Sequence, residues 1–392
     1  MVIESPTTVA VNPAVVRAAR ESARLTPRQA VPVLNRFLKR LKQPPVDETQ
    51  LLSWESGERP TLEQAEALAR AYLLPFAALF QEESPESHVL DFRLGPEGER
   101  RPLSYAAIEA LDRFLGFYLA AREIAEGLHT LDEVIVPARP ASTLRDEQDI
   151  EHFAAETRKI FGVSDELQQS WSNDAQALDA WRQAVEGLGV FVFSQPAPVS
   201  ELRGASRWEP GGPPAILLNS NDGEAARIFT LIHEYTHLTF SREHADTVLC
   251  DPSSGGGPHE ERLANRIAAA VIVPQDMLLQ ALPSPVPSAD YRVWPSSVKS
   301  RIRKSVNASH AVIGIRLRQL GIVGDAGVQR YFWRREGPRY GKRQPTWMSY
   351  RRYLGTRTIA YARRALDAEV LSVADLSRAL GLKVDDLHKV LG

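Results

Sequence analysis

The sequence predicts an α+β chain that is mostly helical, and three observations carry that prediction. Helical apolar stripes bounded by caps and prolines recur along most of the 392 residues. Only two short apolar runs, LGVFVFS (188–194) and PAILLNS (214–220), end in turn residues as strands do. Just after the second run, His233, Glu234 and His237 sit inside the otherwise apolar helix EAARIFTLIHEYTHLTF. The length favours more than one domain, and 43% hydrophobic residues suffice for real cores. The one cysteine, Cys250, excludes an intrachain disulfide and fits a reducing compartment. The N-terminus lacks the apolar core of a signal peptide, and no apolar run approaches the roughly 20 residues of a spanning helix. A cytoplasmic protein with no membrane partner is expected.

Residues 13–80 read as a compact helical unit. Pro13 opens a helix with its stripe at Val15, Val16, Ala19 and Ala23. Thr26 is an N-cap with Pro27 at the first helical position. The segment VDETQLLSWESGERPTLEQAEALARAYLLPFAALF then reads as helix, stop at Gly57, cap at Thr61, helix. It resembles the helix-turn-helix of XRE-type regulators, whose closing W-E-x-G-x-x-P-T matches Trp54, Glu55, Gly57, Pro60 and Thr61. NRFLKRLKQPPVD departs from that pattern by inserting residues before the recognition helix. That helix would begin with Asp47 and Glu48, leaving Thr49, Gln50 and Ser53 to read bases. Residues 1–80 hold ten Lys/Arg against eight Asp/Glu, a weak balance for a phosphate binder. Packing against protein is the other reading of the unit. A polar linker follows at 81–102, then helices at 103–129, 147–162 and 174–187, with a break at Pro137 and Pro140.

His233-Glu234-Tyr235-Thr236-His237 matches H-E-x-x-H. On a helix, positions i and i+4 lie about 40° apart, so both imidazoles can face one metal ion. Glu234 lies roughly 60° from His237, near enough to polarise a metal-bound water. Two histidines and a glutamate in a buried helix are costly unless paired, and a metal removes the cost. A catalytic zinc needs a third protein ligand. PHEERLANRIAAAVIVP (258–274) offers Glu260 and Glu261 in the first turn of a second helix. Glu261 is preferred because it shares a face with Asn265, which could hydrogen-bond a ligand side chain. His244, His259 and Tyr235 are candidates for stabilising an oxyanion.

RIFTLIHEYTHLTF and EERLANRIAAAVIVP together resemble the ImmA/IrrE metallopeptidases. The pattern falls on Arg227, Thr230, His233, Glu234, His237, Glu261, Asn265, Ala268 and Pro274. The Gly204 region, the strand ending at Asn219 and Asp91-Phe92-Arg93 add to the likeness. The resemblance implies a zincin-like core at 147–285, with Zn2+ held by His233, His237 and Glu261 and Glu234 moving the proton of the attacking water. The helix-turn-helix unit would span 1–82, a linker and helical region 83–146, and a basic helical region with helix-turn-helix-like units 286–392. The implied activity is zinc-dependent cleavage of a specific protein, typically a transcriptional repressor, in a stress or defence response. A substrate strand could pair along AILLN if that strand were an open edge. The alternative is a DNA-binding regulator or antitoxin-like protein that uses the zinc fold as a scaffold. Glu234 favours the peptidase, because a scaffold needs only ligands.

The net charge of −2 hides an asymmetry. Residues 292–364 carry eighteen Lys/Arg against Asp325 and Glu336, a net +16, so the remainder carries −18. Tyr331, Phe332, Trp333, Tyr340, Trp347, Tyr350, Tyr353 and Tyr361 interleave with the cations, as in single-strand nucleic-acid binders. Docking on the chain's own acidic part is the other reading. SVNASHAVIGIRLRQLGIV resembles a small helix-turn-helix, and the last 22 residues form another short two-helix unit. Cys250 reads as an ordinary loop cysteine; as a zinc ligand or redox switch it is the second choice.

Overall fold

The computed structural model describes residues 7–81, 103–138, 141–240, 248–250, 259–324 and 347–392, apart from 24, 73, 75 and 210. The chain divides into two compact units, Met1–Leu94 with Gly98–Asp112, and Gly95–Glu97 with Arg113–Gly392. Asp91-Phe92-Arg93, His244 and the aromatics between 331 and 340 lie outside the described residues.

The first unit is helical: α1 (Pro13–Ser22), α2 (Pro27–Arg40), α3 (Glu48–Trp54), α4 (Leu62–Ala71) and the start of α5 (Tyr105–Gly127). Thr26 with Gln29, and Thr61 with Gln64, form capping boxes that start α2 and α4. Leu34, Phe37, Leu38, Leu51, Trp54 and Leu68 fill the core. The inserted residues between α2 and α3 fold back on Asn35, whose amide donates to the Val46 carbonyl and accepts from the Val46 N–H. Glu55 is buried and takes a bidentate pair from Arg20, with Nε–Oε1 at 2.6 Å and Nη2–Oε2 at 2.9 Å. The glutamate of the W-E-x-G pattern is therefore tied into the core. Gln50 donates to Ser53 Oγ at 3.0 Å, so two of the three base-reading candidates engage each other.

The second unit holds α6 (Glu147–Phe161), α7 (Asp165–Ser170), α8 (Asp174–Glu186), β1 (Phe191–Gln195), β2 (Gly204–Arg207) and β3 (Ala215–Asn219). It continues with α9 (Glu224–Phe240), β4 (Val248–Cys250), α10 (His259–Ile272), α11 (Gln275–Ala281), α12 (Ser296–Val306) and α13 (His310–Gln319). The C-terminal helices are α14 (Trp347–Asp367), α15 (Val373–Ala379) and α16 (Val384–Leu391). The sheet order is β1-β3-β2-β4, with β1 and β3 parallel and the other pairs antiparallel. β2 and β4 are too short to show an alternation in sequence and were not anticipated.

Three expectations are corrected here. AILLN is not an edge but the buried strand β3, paired on both sides by β1 and β2, so no substrate strand can add to it. Cys250 is not in a loop; it lies in β4, in register with Gly204. The second helix of SVNASHAVIGIRLRQLGIV, α13, is buried from Val312 to Leu317 and cannot enter a nucleic-acid groove.

The described part of the basic region is largely engaged within its own unit. Arg303 pairs with Asp174, Arg316 with Glu151, and Arg364 with Glu133; Arg357 donates to the Glu186 carbonyl. The outer edge of β1 is covered: Arg182 donates to the Val192 and Arg352 carbonyls, and Tyr361 of α14 packs edge-on against Phe191. α14 breaks at Gly355, whose φ is +82°, where a side chain would collide with Arg182, Glu186 and the Val192 carbonyl.

Candidate metal centre

α9 is buried along its whole second part, from Ile228 to Thr239. It packs on α8 and α10 and beneath strands β2 and β3. An apolar helix reaches such a position because burial of its Leu, Ile and Phe side chains is worth roughly 1.5–3 kcal/mol each. The polar residues carried in with it then need partners.

His233, His237 and Glu261 converge between α9 and α10. His233 Nε2 and His237 Nε2 are 3.2 Å apart. Glu261 places Oε2 3.4 Å from His233 Nε2 and Oε1 3.4 Å from His237 Nε2. All three side chains are buried, at 0%, 3% and 1% exposure respectively. These separations are long for N–H···O hydrogen bonds, which centre at about 2.9–3.0 Å. They match the edges of a tetrahedral zinc site, where ligands at about 2.0–2.1 Å from the ion stand about 3.3 Å from each other. The three residues thus fit a metal ion by donor type, spacing and burial. Glu261, the glutamate preferred from the sequence, is enclosed, whereas Glu260 is exposed.

The electrostatics follow from that enclosure. Burial opposes an imidazolium at His233, but hydrogen bonding and charge from Glu261, with Glu234 and Asn265, outweigh it and raise its pKa. Burial likewise opposes the Glu261 anion, yet the two histidines hold its carboxyl well below the usual carboxylate range. Asn265 lies one turn beyond Glu261 on α10 and is the smallest of the influences that raise the His233 pKa.

Glu234 is fully buried on the face of α9 turned toward β2. Tyr235 packs edge-on against Phe161 in the hydrophobic core, with ring centroids 4.8 Å apart, and His259 is exposed at the start of α10. Neither is brought to the cluster by these contacts. Sequence reasoning missed how α10 is held. Its last carbonyls are each met by a side chain: Arg158 donates to Val271, Gln168 to Ile272, and Arg316 to Val273. No local pattern distinguishes these buried donors from surface ones.

A pair of neighbouring helices that carries a His-His-Glu centre beside a buried glutamate is the arrangement of a metallopeptidase-type site. Residues 185–318 match the Peptidase_M78 family model, the IrrE N-terminal-like domain. That match spans the sheet, α9, α10 and most of α13, about a third of the chain, and it supports the likeness to the ImmA/IrrE family. No curated protein and no solved structure matches the chain. Among the described residues, no helix is long and apolar enough to cross a membrane.

Proposed function

We propose that this chain is a zinc-dependent endopeptidase of the ImmA/IrrE kind that cuts a specific protein, such as a transcriptional repressor, in the cytoplasm. The observation that carries the reading is Glu234, a buried carboxylate beside the metal-binding trio that is not itself one of the three. His233, His237 and Glu261 hold the ion, and Asn265 steadies His233. Zinc, when bound, would lower the pKa of a coordinated water toward about 7 and polarise a carbonyl. Glu234 takes the proton from the attacking water on a carboxylate oxygen and returns it to the leaving amine nitrogen. The apolar burial of α9 keeps bulk water away, which strengthens each of these electrostatic interactions.

The test compares zinc-loaded wild type with Glu234→Gln across the soluble proteins of a host cell, reading new N-termini by mass spectrometry. At least one protein should be cut by wild type and cut about 10²- to 10⁴-fold more slowly by the variant. Equal cleavage by both proteins sinks the reading.

A second proposal concerns the basic 292–364 region. Arg301, Lys304, Arg351 and Arg352 are exposed, as is Trp347, and these support binding of single-stranded nucleic acid there. Fluorescence anisotropy with labelled single- and double-stranded oligonucleotides at low salt decides it. No binding of any of them ends the proposal, and binding unaffected by Arg351→Ala with Arg352→Ala moves it away from α14.

A further inference from the structure

The Glu234 carboxylate lies against a strand position that has no side chain. Gly204 opens β2, and a Cβ built there would stand 3.0 Å from Glu234 Oε1 and 3.1 Å from the Leu217 carbonyl oxygen. It would also overlap the γ-methyl of Thr230, one turn before Glu234 on the same face of α9. Gly204 is not among the glycines with positive φ, so backbone conformation does not demand glycine there. Close approach of the helix does.

Neither partner has room to yield. Gly204 pairs with Leu218 on one side and Cys250 on the other, and the preceding residue, Arg203, pairs with Asp222 at 2.8 Å. α9 is packed against α8 and α10 on its remaining faces. Thr230 is β-branched and stiff at χ1, so its methyl cannot swing aside cheaply. The softest element in the contact is the Glu234 side chain.

We propose that Gly204 is a positioning residue for Glu234: the absent side chain leaves the space in which the carboxylate is held beside the His233–His237–Glu261 centre. The proposal rests on the metallopeptidase reading above. It predicts that a methyl at this position moves the carboxylate while leaving His233, His237 and Glu261, which meet between α9 and α10, in place.

The experiment uses the full chain loaded with zinc and acetohydroxamate as the probe. A hydroxamic acid that takes a metal position hands its proton to a nearby base, so its affinity reports on the carboxylate. Calorimetry is run on wild type, Glu234→Gln, Thr230→Ala, Gly204→Ala, Ser206→Ala and the double variant Gly204→Ala/Thr230→Ala. The double variant removes the overlap with the γ-methyl and keeps the new Cβ beside Oε1, so it tests the carboxylate contact even where Gly204→Ala alone does not fold.

Glu234→Gln should bind the probe about tenfold more weakly than wild type, as expected for loss of a charge-assisted hydrogen bond. The double variant should bind about fivefold or more weakly than Thr230→Ala, with zinc content equal in the two. Ser206→Ala, on the same strand face, should match wild type. A double variant that binds the probe as Thr230→Ala does, or one that loses its zinc, overturns the proposal. A wild type that takes up no zinc, or a Glu234→Gln that binds like wild type, instead overturns the metallopeptidase reading on which it rests.

Discussion

The two ends of α10 bury charge in opposite ways. At its C-terminal end, Arg158, Gln168 and Arg316 each meet a backbone carbonyl, and the arginines also meet Asp165 and Glu151. Each of these three side chains donates within the protein, although Arg316 Nη1 makes no hydrogen bond and stands 3.7 Å from Glu147 Oε1. At the N-terminal end, Glu261 faces two imidazoles at 3.4 Å, and the three side chains bring their ligand atoms within 4.8 Å of one another. The first arrangement secures a helix. The second offers three converging donors to a metal ion. One helix thus carries an anchor and a site, and the anchor holds Glu261 in register with α9.

The comparison can be broken at either end. The largest effect is expected at the anchor. Arg316 is fully buried, so Arg316→Met should cost about 3–5 kcal/mol by leaving its carboxylate and carbonyl partners behind. Urea denaturation of the zinc-loaded protein measures it, and an unshifted midpoint would show that the network is not what holds α10. The site end should respond to metal instead. Free zinc at a hundred times its Kd should stabilise wild type by about 2.7 kcal/mol. That gain should vanish in Glu261→Ala and His237→Ala and persist in Arg316→Met. Thermal melts with zinc and with chelator separate the two ends.

A smaller effect is expected at Gln168, which donates to the Ile272 and Val306 carbonyls. Gln168→Ala leaves both without that donor and should cost about 1–3 kcal/mol by chemical denaturation, with zinc uptake unchanged. The smallest is at Glu260. It is exposed beside Glu261, and Glu260→Gln should stay within about 0.5 kcal/mol of wild type with full zinc binding. Loss of zinc in that variant would reverse the choice between the two glutamates.

The N-terminal unit shows the same division between what a pattern displays and what packing assigns. W-E-x-G-x-x-P-T marks the end of a helix and the start of another, and both lie where the pattern places them. That Glu55 is buried against Arg20 could not be read, because the partner is 35 residues away. The charge asymmetry behaves alike. Its +16 is visible in composition, whereas the engagement of Arg303, Arg316 and Arg364 by distant acids is a property of the folded chain. The apolar run AILLN could equally have been an edge or a centre. Hydrophobicity states that a strand is buried but not how many neighbours it has.

His233, Glu234 and His237 were determined by the sequence alone, because helical spacing is local and puts the two imidazoles on one face. Asn265 was placed beside Glu261 for the same reason. For the third member of the cluster the sequence preferred Glu261 over Glu260 through its shared face with Asn265, but that Glu260 is exposed and Glu261 enclosed follows only from the packing of α10 on α9. The space at Gly204 and the cap of Arg158, Gln168 and Arg316 were decided wholly by tertiary structure. Each is a contact between segments far apart in the chain, and no local pattern encodes such a contact.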